Sequence, residues 1–259
     1  MSASNSCPVI VLAGGLGTRL RSIVSDRPKI LAPVDETPFI SILLNWLQQQ
    51  GFTQIIFSLG YLAEQVEQYI ADYRGELLLS SVKESTPLGT LGGLATVLRK
   101  TQSLNVDEVV VINGDTFVDM ALAEFVQDAR RLCSADTSQC LSVLAVKEVT
   151  DVSRYGAVTL NALVETPDHI RQVTRFNEKQ PRAEKAMPGW INAGIYYFSA
   201  QAIKQLCLYE SGSLEHEFLT PEADKQRLGA ITIPVTAKFI DIGTPASLAA
   251  ASDILEPYL

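Results

Sequence analysis

The sequence predicts an α/β fold in which a mostly parallel β-sheet carries helices on both of its faces. Apolar strand-like runs alternate with amphipathic stretches through the first half of the chain, which is the pattern of repeated βα units. The first apolar run ends in a glycine-rich turn, and a later one ends in Asn113-Gly114-Asp115. Because ligands of parallel sheets bind beyond the carboxyl ends of the strands, we expect both turns to contribute to one site.

The elements of the first half are indicated by short apolar patterns. Residues 9–12 form a continuous apolar run, which is typical of a strand buried on both faces. Helical spacing of apolar side chains marks the amphipathic stretches, and Gly51 stands where the first predicted helix would end. These patterns predict strands at 9–12, 54–59 and 108–112, and helices at 39–47, 62–70, 91–98 and 122–129.

The second half has a looser pattern, with strand-like runs and no long helix between them. We interpret these runs as a sheet extension that forms the second wall of a cleft. A strand at Phe239-Ile240 and a helix that starts near Pro245 then return to the first half. The predicted strands of the extension span 141–146, 156–160, 170–176 and 192–198.

Composition narrows the classes of function. The 259 residues carry a net charge of −8, which argues against a nucleic-acid partner and a polybasic membrane surface. The four cysteines form no CxxC pair, so a metal or disulfide framework is not expected. Unpaired thiols suit a reducing, cytoplasmic location, and no apolar run approaches the roughly 20 residues of a membrane span.

The glycine-rich turn at residues 14–19 has two interpretations. Glycines allow backbone N–H groups to approach an anion closely, and the Arg19 guanidinium is suited to phosphate. The turn is also compatible with a tight strand–helix connection that carries a surface arginine. It departs from the common dinucleotide pattern, which needs a glycine at Leu20, and from the P-loop, which ends in Gly-Lys-Ser/Thr.

The sequence around this turn resembles that of the sugar-1-phosphate nucleotidylyltransferases. These enzymes join a sugar 1-phosphate to a nucleoside triphosphate and release pyrophosphate. The resemblance rests on residues 12–20, followed by Pro28-Lys29 and Pro33-Val34, and on Asn113-Gly114-Asp115 and residues 241–245. It covers nearly the whole chain and implies a Rossmann-like, GT-A-like nucleotidyltransferase fold. Residues 20–26 and 87–90 are most similar to D-glycero-α-D-manno-heptose 1-phosphate guanylyltransferases, which would take GTP and form a nucleotide sugar for surface polysaccharide.

The resemblance also implies a single domain over residues 1–259. Its nucleotide-binding half would span about 7–139 and 236–259, and its sugar-phosphate-binding part about 140–235. By the same resemblance Arg19, Lys29 and Asp115 are catalytic, and Asp115 and Asp241 bind Mg²⁺. The implied nucleotide-binding residues are Leu12, Ala13, Gly14, Gly15, Gly17, Thr18, Leu88, Gly89 and Thr90. The implied sugar-phosphate-binding residues are Tyr155, Gly156, Glu178, Lys179, Asn192, Gly194 and Glu215.

The residues alone leave other interpretations open. Asn113-Gly114 is also a hairpin signal, Asp241 also suits a turn or a helix cap, and Glu178-Lys179 also suits a solvated turn. A hexose 1-phosphate, with mannose 1-phosphate first, is the main rival acceptor, and UTP, CTP and dTTP are rival donors. A non-catalytic nucleotide-sensing subunit and a dinucleotide-dependent oxidoreductase are alternative classes, and a homo-oligomer is left open.

Overall fold

A mixed β-sheet forms the centre of the molecule in the computed structural model. The model describes residues 7–20, 23–101, 106–134, 139–153, 155–163, 166–177 and 186–259. Within these residues, one nine-stranded sheet is accompanied by two two-stranded sheets.

The first half of the chain alternates strands with helices, as predicted. A 3₁₀ turn at Lys29–Leu31 precedes β2. Gly51 follows the first helix with a φ of 82°, as expected for a helix end. The elements are β1 (Val9–Ala13), β2 (Pro33–Val34), β3 (Thr37–Pro38), α1 (Phe39–Gln49), β4 (Gln54–Leu59), α2 (Ala63–Asp72), β5 (Leu78–Lys83), α3 (Gly89–Thr101), β6 (Glu108–Asn113), β7 (Thr116–Val118) and α4 (Leu122–Ser134).

The second half supplies the predicted sheet extension and the predicted helix at Pro245, together with further short helices that the sequence patterns did not indicate. A π-helical turn spans Leu214–Leu219, and a 3₁₀ turn at Glu256–Tyr258 follows the last helix. The elements are β8 (Ser142–Val149), β9 (Ala157–Ala162), β10 (Ile170–Asn177), β11 (Gly189–Ser199), α5 (Ala200–Leu206), α6 (Thr220–Asp224), β12 (Leu228–Thr232), β13 (Phe239–Asp241), α7 (Pro245–Ala249) and α8 (Ala251–Leu255).

Strand direction divides the large sheet into two parts. Its order is β5-β4-β1-β6-β11-β8-β12-β10-β9. The first four strands are all parallel, as the repeated βα units predict. β11 then runs antiparallel to both β6 and β8, and the remaining pairs are mixed. In the first half every pair of this sheet is thus parallel, whereas the extension combines antiparallel pairs with the parallel pair of β8 and β12, and the sheet as a whole is mixed.

Apolar side chains cover both faces of the sheet. In β1, Val9 and Val11 belong to one core and Ile10 to the other, because successive side chains of a strand point to opposite faces. The first core includes Trp46 of α1, and the second includes Leu94 of α3. These two layers explain the continuous apolar run at residues 9–12 and confirm that helices lie on both faces.

Composition made predictions for the cysteines and the helices, and the structure gives their arrangement. None of the four cysteines, which all lie within the described residues, forms a disulfide, and the Sγ atoms of Cys133 and Cys140 lie 3.7 Å apart. Across the described ranges, none of the helices combines the length and the apolar character needed to cross a bilayer.

Glu108 anchors the start of the strand that leads to Asp115. Its Oε2 accepts hydrogen bonds from Nε of Arg130 and from the hydroxyl of Tyr197, both at 2.8 Å. Burial acts to raise the pKa of Glu108, but the hydrogen bonds from Arg130 and Tyr197 outweigh it and hold this pKa below its ordinary value. The charged form of Glu108 therefore stabilises the junction between β6, α4 and β11.

Glu108→Gln should lower the free energy of unfolding at neutral pH by about 1–3 kcal/mol, because charge-assisted hydrogen bonds are lost. The pKa of Glu108 is lower in the folded than in the unfolded state. The contribution of Glu108 to the free energy of unfolding is therefore complete above its pKa in the unfolded state. It is lost as the pH falls through its pKa in the folded state. Urea unfolding of both proteins at several pH values measures this. A destabilisation that stays constant down to strongly acid pH would contradict the role of the charge.

Candidate active site

The glycine-rich turn forms one wall of a cavity of about 480 Å³ at the carboxyl end of the parallel strands. Gly17 has a φ of 61°, which favours glycine, and it packs against the Lys29 stem. The backbone N–H of Gly114 donates to Leu12 O at 2.9 Å and joins the turn to the end of β6. This first cavity is lined by Leu12, Ala13, Gly14, Gly15, Leu16, Arg19, Lys29, Ile30, Ser58, Glu84, Pro87, Gly89, Thr90, Gly93, Asn113, Gly114, Asp115 and Glu215.

A second cavity of about 300 Å³ adjoins the first. It lies between the β6 end of the parallel part and the sheet extension. The two cavities share Arg19, Asn113, Asp115 and Glu215. The second cavity is lined by Arg19, Asn113, Asp115, Thr116, Tyr155, Gly156, Phe176, Asn192, Ala193, Gly194, Glu215, Phe239 and Asp241.

Asp115 stands at the junction of the cavities and forms an ion pair there. Nζ of Lys29 donates to Oδ2 of Asp115 at 2.9 Å. Their side chains remain 19% and 26% exposed, so both are accessible from the cavity. The hairpin alternative for Asn113-Gly114 is wrong, because β7 pairs with β13 rather than returning along β6.

The pairing of β7 with β13 brings Asp241 to the same junction, where it lies opposite Thr116. Burial and the charge of Asp115 raise the pKa of the Asp241 carboxyl, although the Gly243 N–H, Lys29 and Arg19 act in the opposite direction. The Gly243 N–H donates to Asp241 Oδ1 at 2.6 Å, so Asp241 is also the turn aspartate that its sequence context suggested.

These two carboxylates fit a magnesium ion. Mg²⁺ prefers oxygen ligands and is usually held by one or two carboxylates together with phosphate oxygens and water. No cluster of three or more His, Cys, Asp or Glu side chains suited to a metal occurs in the part of the chain that the structure describes. The protein would therefore supply two carboxylates, and substrate and water the remaining ligands.

Asn192 lies in the second cavity, in an internal hydrogen-bond network. Its Nδ2 donates to the Tyr196 hydroxyl at 2.7 Å, and its Oδ1 accepts from the Gly194 N–H at 3.0 Å. Tyr155 packs edge-on against Phe239, with ring centroids 5.8 Å apart. One N–H of Asn192 remains for a ligand, and the rest of its amide fixes the loop around Gly194.

Several predicted residues lie outside the cavity walls. Thr18 is exposed in the turn after Gly17, and the Leu88 N–H donates to Glu84 Oε2 at 2.9 Å. Glu178 and Lys179 fall outside the described residues, so their roles stay predictions. Every other predicted site residue except Gly17 lines one or both cavities.

Ser58 lines the first cavity but was not singled out from the sequence, whereas Glu84, which also lines it, begins the segment 84–90 for which the resemblance implies contact with the nucleobase. Ser58 is a buried polar residue near the end of β4, and a polar residue at the end of an apolar strand was a usable signal. Glu84 directly follows β5, a strand that was not predicted, and it was not itself named as a site residue.

Comparison with known proteins finds similarity over nearly the whole chain. The family described as Nucleotidyl transferase matches residues 8–257. The D-glycero-alpha-D-manno-heptose 1-phosphate guanylyltransferase of Aneurinibacillus thermoaerophilus is 37% identical and covers 96% of this chain and 99% of its own. The protein of the same name from Campylobacter jejuni is 33% identical, and the match covers 91% of this chain and 94% of that protein.

A solved structure is similar over the same extent. HddC from Yersinia pseudotuberculosis has a TM-score of 0.76 and 30% identity, and the match covers 98% of this chain and 100% of that one. A further structure of HddC is complexed with GMP-PN.

Proposed function

Because the chain belongs to the nucleotidyl transferase family, we propose that it transfers a guanylyl group from GTP to D-glycero-α-D-manno-heptose 1-phosphate and releases pyrophosphate. The heptose 1-phosphate guanylyltransferases similar over nearly the whole chain support this donor and acceptor. The observation that carries the proposal is the junction of the cavities, where Arg19, Asp115 and Asp241 lie together. Two anionic substrates in adjoining cavities would meet there.

The reaction needs alignment and charge stabilisation rather than a proton acceptor. An oxygen of the sugar 1-phosphate attacks the α-phosphorus of GTP. A new P–O bond forms, the bond to the β-phosphate breaks, and pyrophosphate leaves with the electron pair. The attacking phosphate is already largely ionised at neutral pH, since its second pKa is about 6. Holding the two substrates in line can contribute roughly 7–11 kcal/mol.

Arg19 and Lys29 supply the cationic part of the site. Arg19 lines both cavities, and in this proposal it would contact phosphates of both substrates. Lys29 would exchange its bond to Asp115 for a phosphate oxygen when GTP binds. Asp115 and Asp241 would then hold Mg²⁺, which when bound supplies positive charge that stabilises the transition state.

The second cavity would hold the sugar phosphate. Tyr155, Gly156, Asn192, Gly194 and Glu215 line it, and Lys179 is predicted to bind the sugar phosphate itself. A site that hydrogen-bonds the additional heptose hydroxyls leaves polar groups unpaired when a hexose binds. The product would serve the synthesis of surface polysaccharide, such as lipopolysaccharide or capsule, in the cytoplasm.

A pyrophosphate-release screen tests the proposal. GTP, ATP, UTP, CTP and dTTP are each combined with heptose, mannose and glucose 1-phosphates in the presence of Mg²⁺. The highest kcat/KM is expected for GTP with D-glycero-α-D-manno-heptose 1-phosphate, with mannose 1-phosphate lower by about tenfold or more. Equal or better kcat/KM with mannose 1-phosphate would refute the acceptor, and a preference for another nucleotide would refute the donor.

A further inference from the structure

Lys147 is a buried lysine of β8 that lines neither cavity, and only 9% of it is exposed. Its Nζ donates to the backbone oxygens of Pro234 and Val235, at 3.2 and 3.1 Å. Burial holds the pKa of Lys147 below its ordinary value, and no carboxylate among the described residues offsets this effect. A buried ammonium without a counter-charge costs free energy, so stability alone does not account for this lysine.

The two carbonyl groups that Lys147 binds belong to the segment that leads into β13. This segment, residues 233–238, connects β12 to β13. At its start the Ile233 N–H donates to Val146 O at 2.8 Å, directly beside Lys147 in β8. A backbone hydrogen bond therefore fixes the start of the segment to β8, and the Lys147 ammonium fixes the two residues that follow.

β13 is a short strand outside the large sheet, and it carries two residues of the second cavity, Phe239 and Asp241. It spans three residues and pairs with β7. Because so short a ladder supplies few hydrogen bonds, the segments at both ends help to set the position of the strand. After β13 the Ile242 N–H donates to Asp115 O at 2.9 Å. Before β13, Lys147 holds the incoming segment.

Lys147 also stands beside the strand that supplies Asn192 to the second cavity. In the pairing of β8 with β11, Lys147 lies opposite Ile191 and Val146 lies opposite Asn192. Both Asn192 and Asp241 line the second cavity. The Lys147 ammonium thus connects the pair of strands that supports Asn192 to the segment that leads to Asp241.

We propose that Lys147 is a positioning residue that sets the place of Asp241 relative to Asp115. This inference rests on the proposed function, in which the two aspartates hold Mg²⁺. Lys147 lines neither cavity, so it acts through residues 233–238 rather than on a substrate. Loss of its two hydrogen bonds would let β13 shift against β7, and the carboxylate pair would then bind Mg²⁺ more weakly.

Lys147→Met tests the proposal, because methionine keeps an unbranched side chain and removes the ammonium. Calorimetric titration of Mg²⁺ into the GTP-loaded variant should show an affinity weakened by about tenfold or more, as is usual when a group that orients a metal ligand is lost. The rate of pyrophosphate release should fall at low Mg²⁺ concentration and recover in part when Mg²⁺ is in excess. Lys147→Arg, which keeps donors for both carbonyl groups, should lie between Lys147→Met and the unaltered protein.

Hydrogen exchange in the ligand-free protein gives a readout that needs neither metal nor substrate. The Asp119 N–H donates to Lys238 O at 2.8 Å, and the Ile242 N–H donates to Asp115 O at 2.9 Å. Exchange at these two amides reports how firmly β13 and its flanking residues are docked. Both should exchange several-fold faster in Lys147→Met, whereas the amides of α1 should be unaffected.

Two controls separate positioning from charge and from stability. Lys238→Met removes a positive charge from the same segment but keeps the backbone oxygen through which Lys238 bonds, so Mg²⁺ affinity and amide exchange should stay unchanged. The Tm of Lys147→Met without ligand should be unchanged or higher. The folded pKa of Lys147 is lowered, so its charged form opposes folding at neutral pH. Pro234 and Val235 are exposed, so water can replace the ammonium at their carbonyl groups.

The outcomes distinguish this inference from the proposed function. Equal Mg²⁺ affinity and equal amide exchange in Lys147→Met and Lys238→Met would overturn the positioning role, while GTP turnover by the unaltered protein still supports the proposed function. A lower Tm of Lys147→Met with unchanged Mg²⁺ affinity would assign Lys147 a structural role instead. No pyrophosphate release by the unaltered protein with any nucleotide would overturn the proposed function, whereas faster exchange at Ile242 in Lys147→Met would still support the positioning of β13.

Discussion

Asp115→Asn is expected to lower kcat by two or more orders of magnitude while the protein remains folded. Asp115 is the carboxylate at which the two cavities meet, and it faces both Lys29 and Asp241. Asparagine keeps the shape of the side chain but removes the charge that would hold Mg²⁺. Loss of metal-derived charge stabilisation is worth several kcal/mol, and each 1.36 kcal/mol is about tenfold in rate. Pyrophosphate release under saturating substrates measures the effect.

Asp107→Asn is the matched control for this prediction. Asp107 is exposed just before the opposite end of the same strand, so its variant should keep normal kcat and Tm. Calorimetric titration of Mg²⁺ into the GTP-loaded protein gives a second readout, in which Asp115→Asn should show weakened binding. Near-normal turnover of folded Asp115→Asn would remove Asp115 from the catalytic residues.

Gly89→Ala should cost about 2–4 kcal/mol of the free energy of unfolding and raise the KM of both substrates. Gly89 has a φ of 76°, which strains any residue with a Cβ. An added Cβ would also lie 2.3 Å from the backbone oxygen of Gly212, which accepts the Leu91 N–H. This turn connects the wall of the first cavity at Gly89 to the loop before Glu215, which lines both cavities, so displacement would disturb both of them.

Gly15→Ala is the control for the stability part of that prediction. Its added Cβ would meet nothing within 4 Å, so the free energy of unfolding should change by less than about 1 kcal/mol. Urea unfolding compares the two variants with the parent protein. If Gly89→Ala unfolds at the same urea concentration as Gly15→Ala, the close packing of this turn against Gly212 is incorrect.

The sequence predicts the parallel half of the fold well because its signals are local. The apolar run at residues 9–12 needs burial on both faces, and the spacing in 39–47 fits only a helix against a core. The strand β5 was not predicted because, at the sheet edge, it is only partly covered and shows no continuous apolar run. The position of β11 between β6 and β8 was also inaccessible, since strand order depends on pairing between distant segments.

The candidate site divides in the same way. Short contiguous sequence motifs predicted the roles of Arg19, Lys29, Asp115 and Asp241. The structure brings these four side chains to one junction. Glu84 begins the segment 84–90, for which the resemblance implies contact with the nucleobase, but the close approach of Gly14 and Gly60 to its carboxylate could not be read from the sequence. The network that joins Asn192, Tyr196 and Gly194 likewise depends on side-chain geometry within β11.

The short β7–β13 pair has a consequence for the order in which the parts of the active site form during folding. Asp115 is set by β6 within the parallel half, whose contacts are mostly between successive units. Asp241 reaches it only when β13 docks on β7, a pairing between segments far apart in the chain. Such distant closures tend to form late in folding. During synthesis, therefore, the nascent chain would position Asp115 early but complete its carboxylate pair only after residue 241 has left the ribosome.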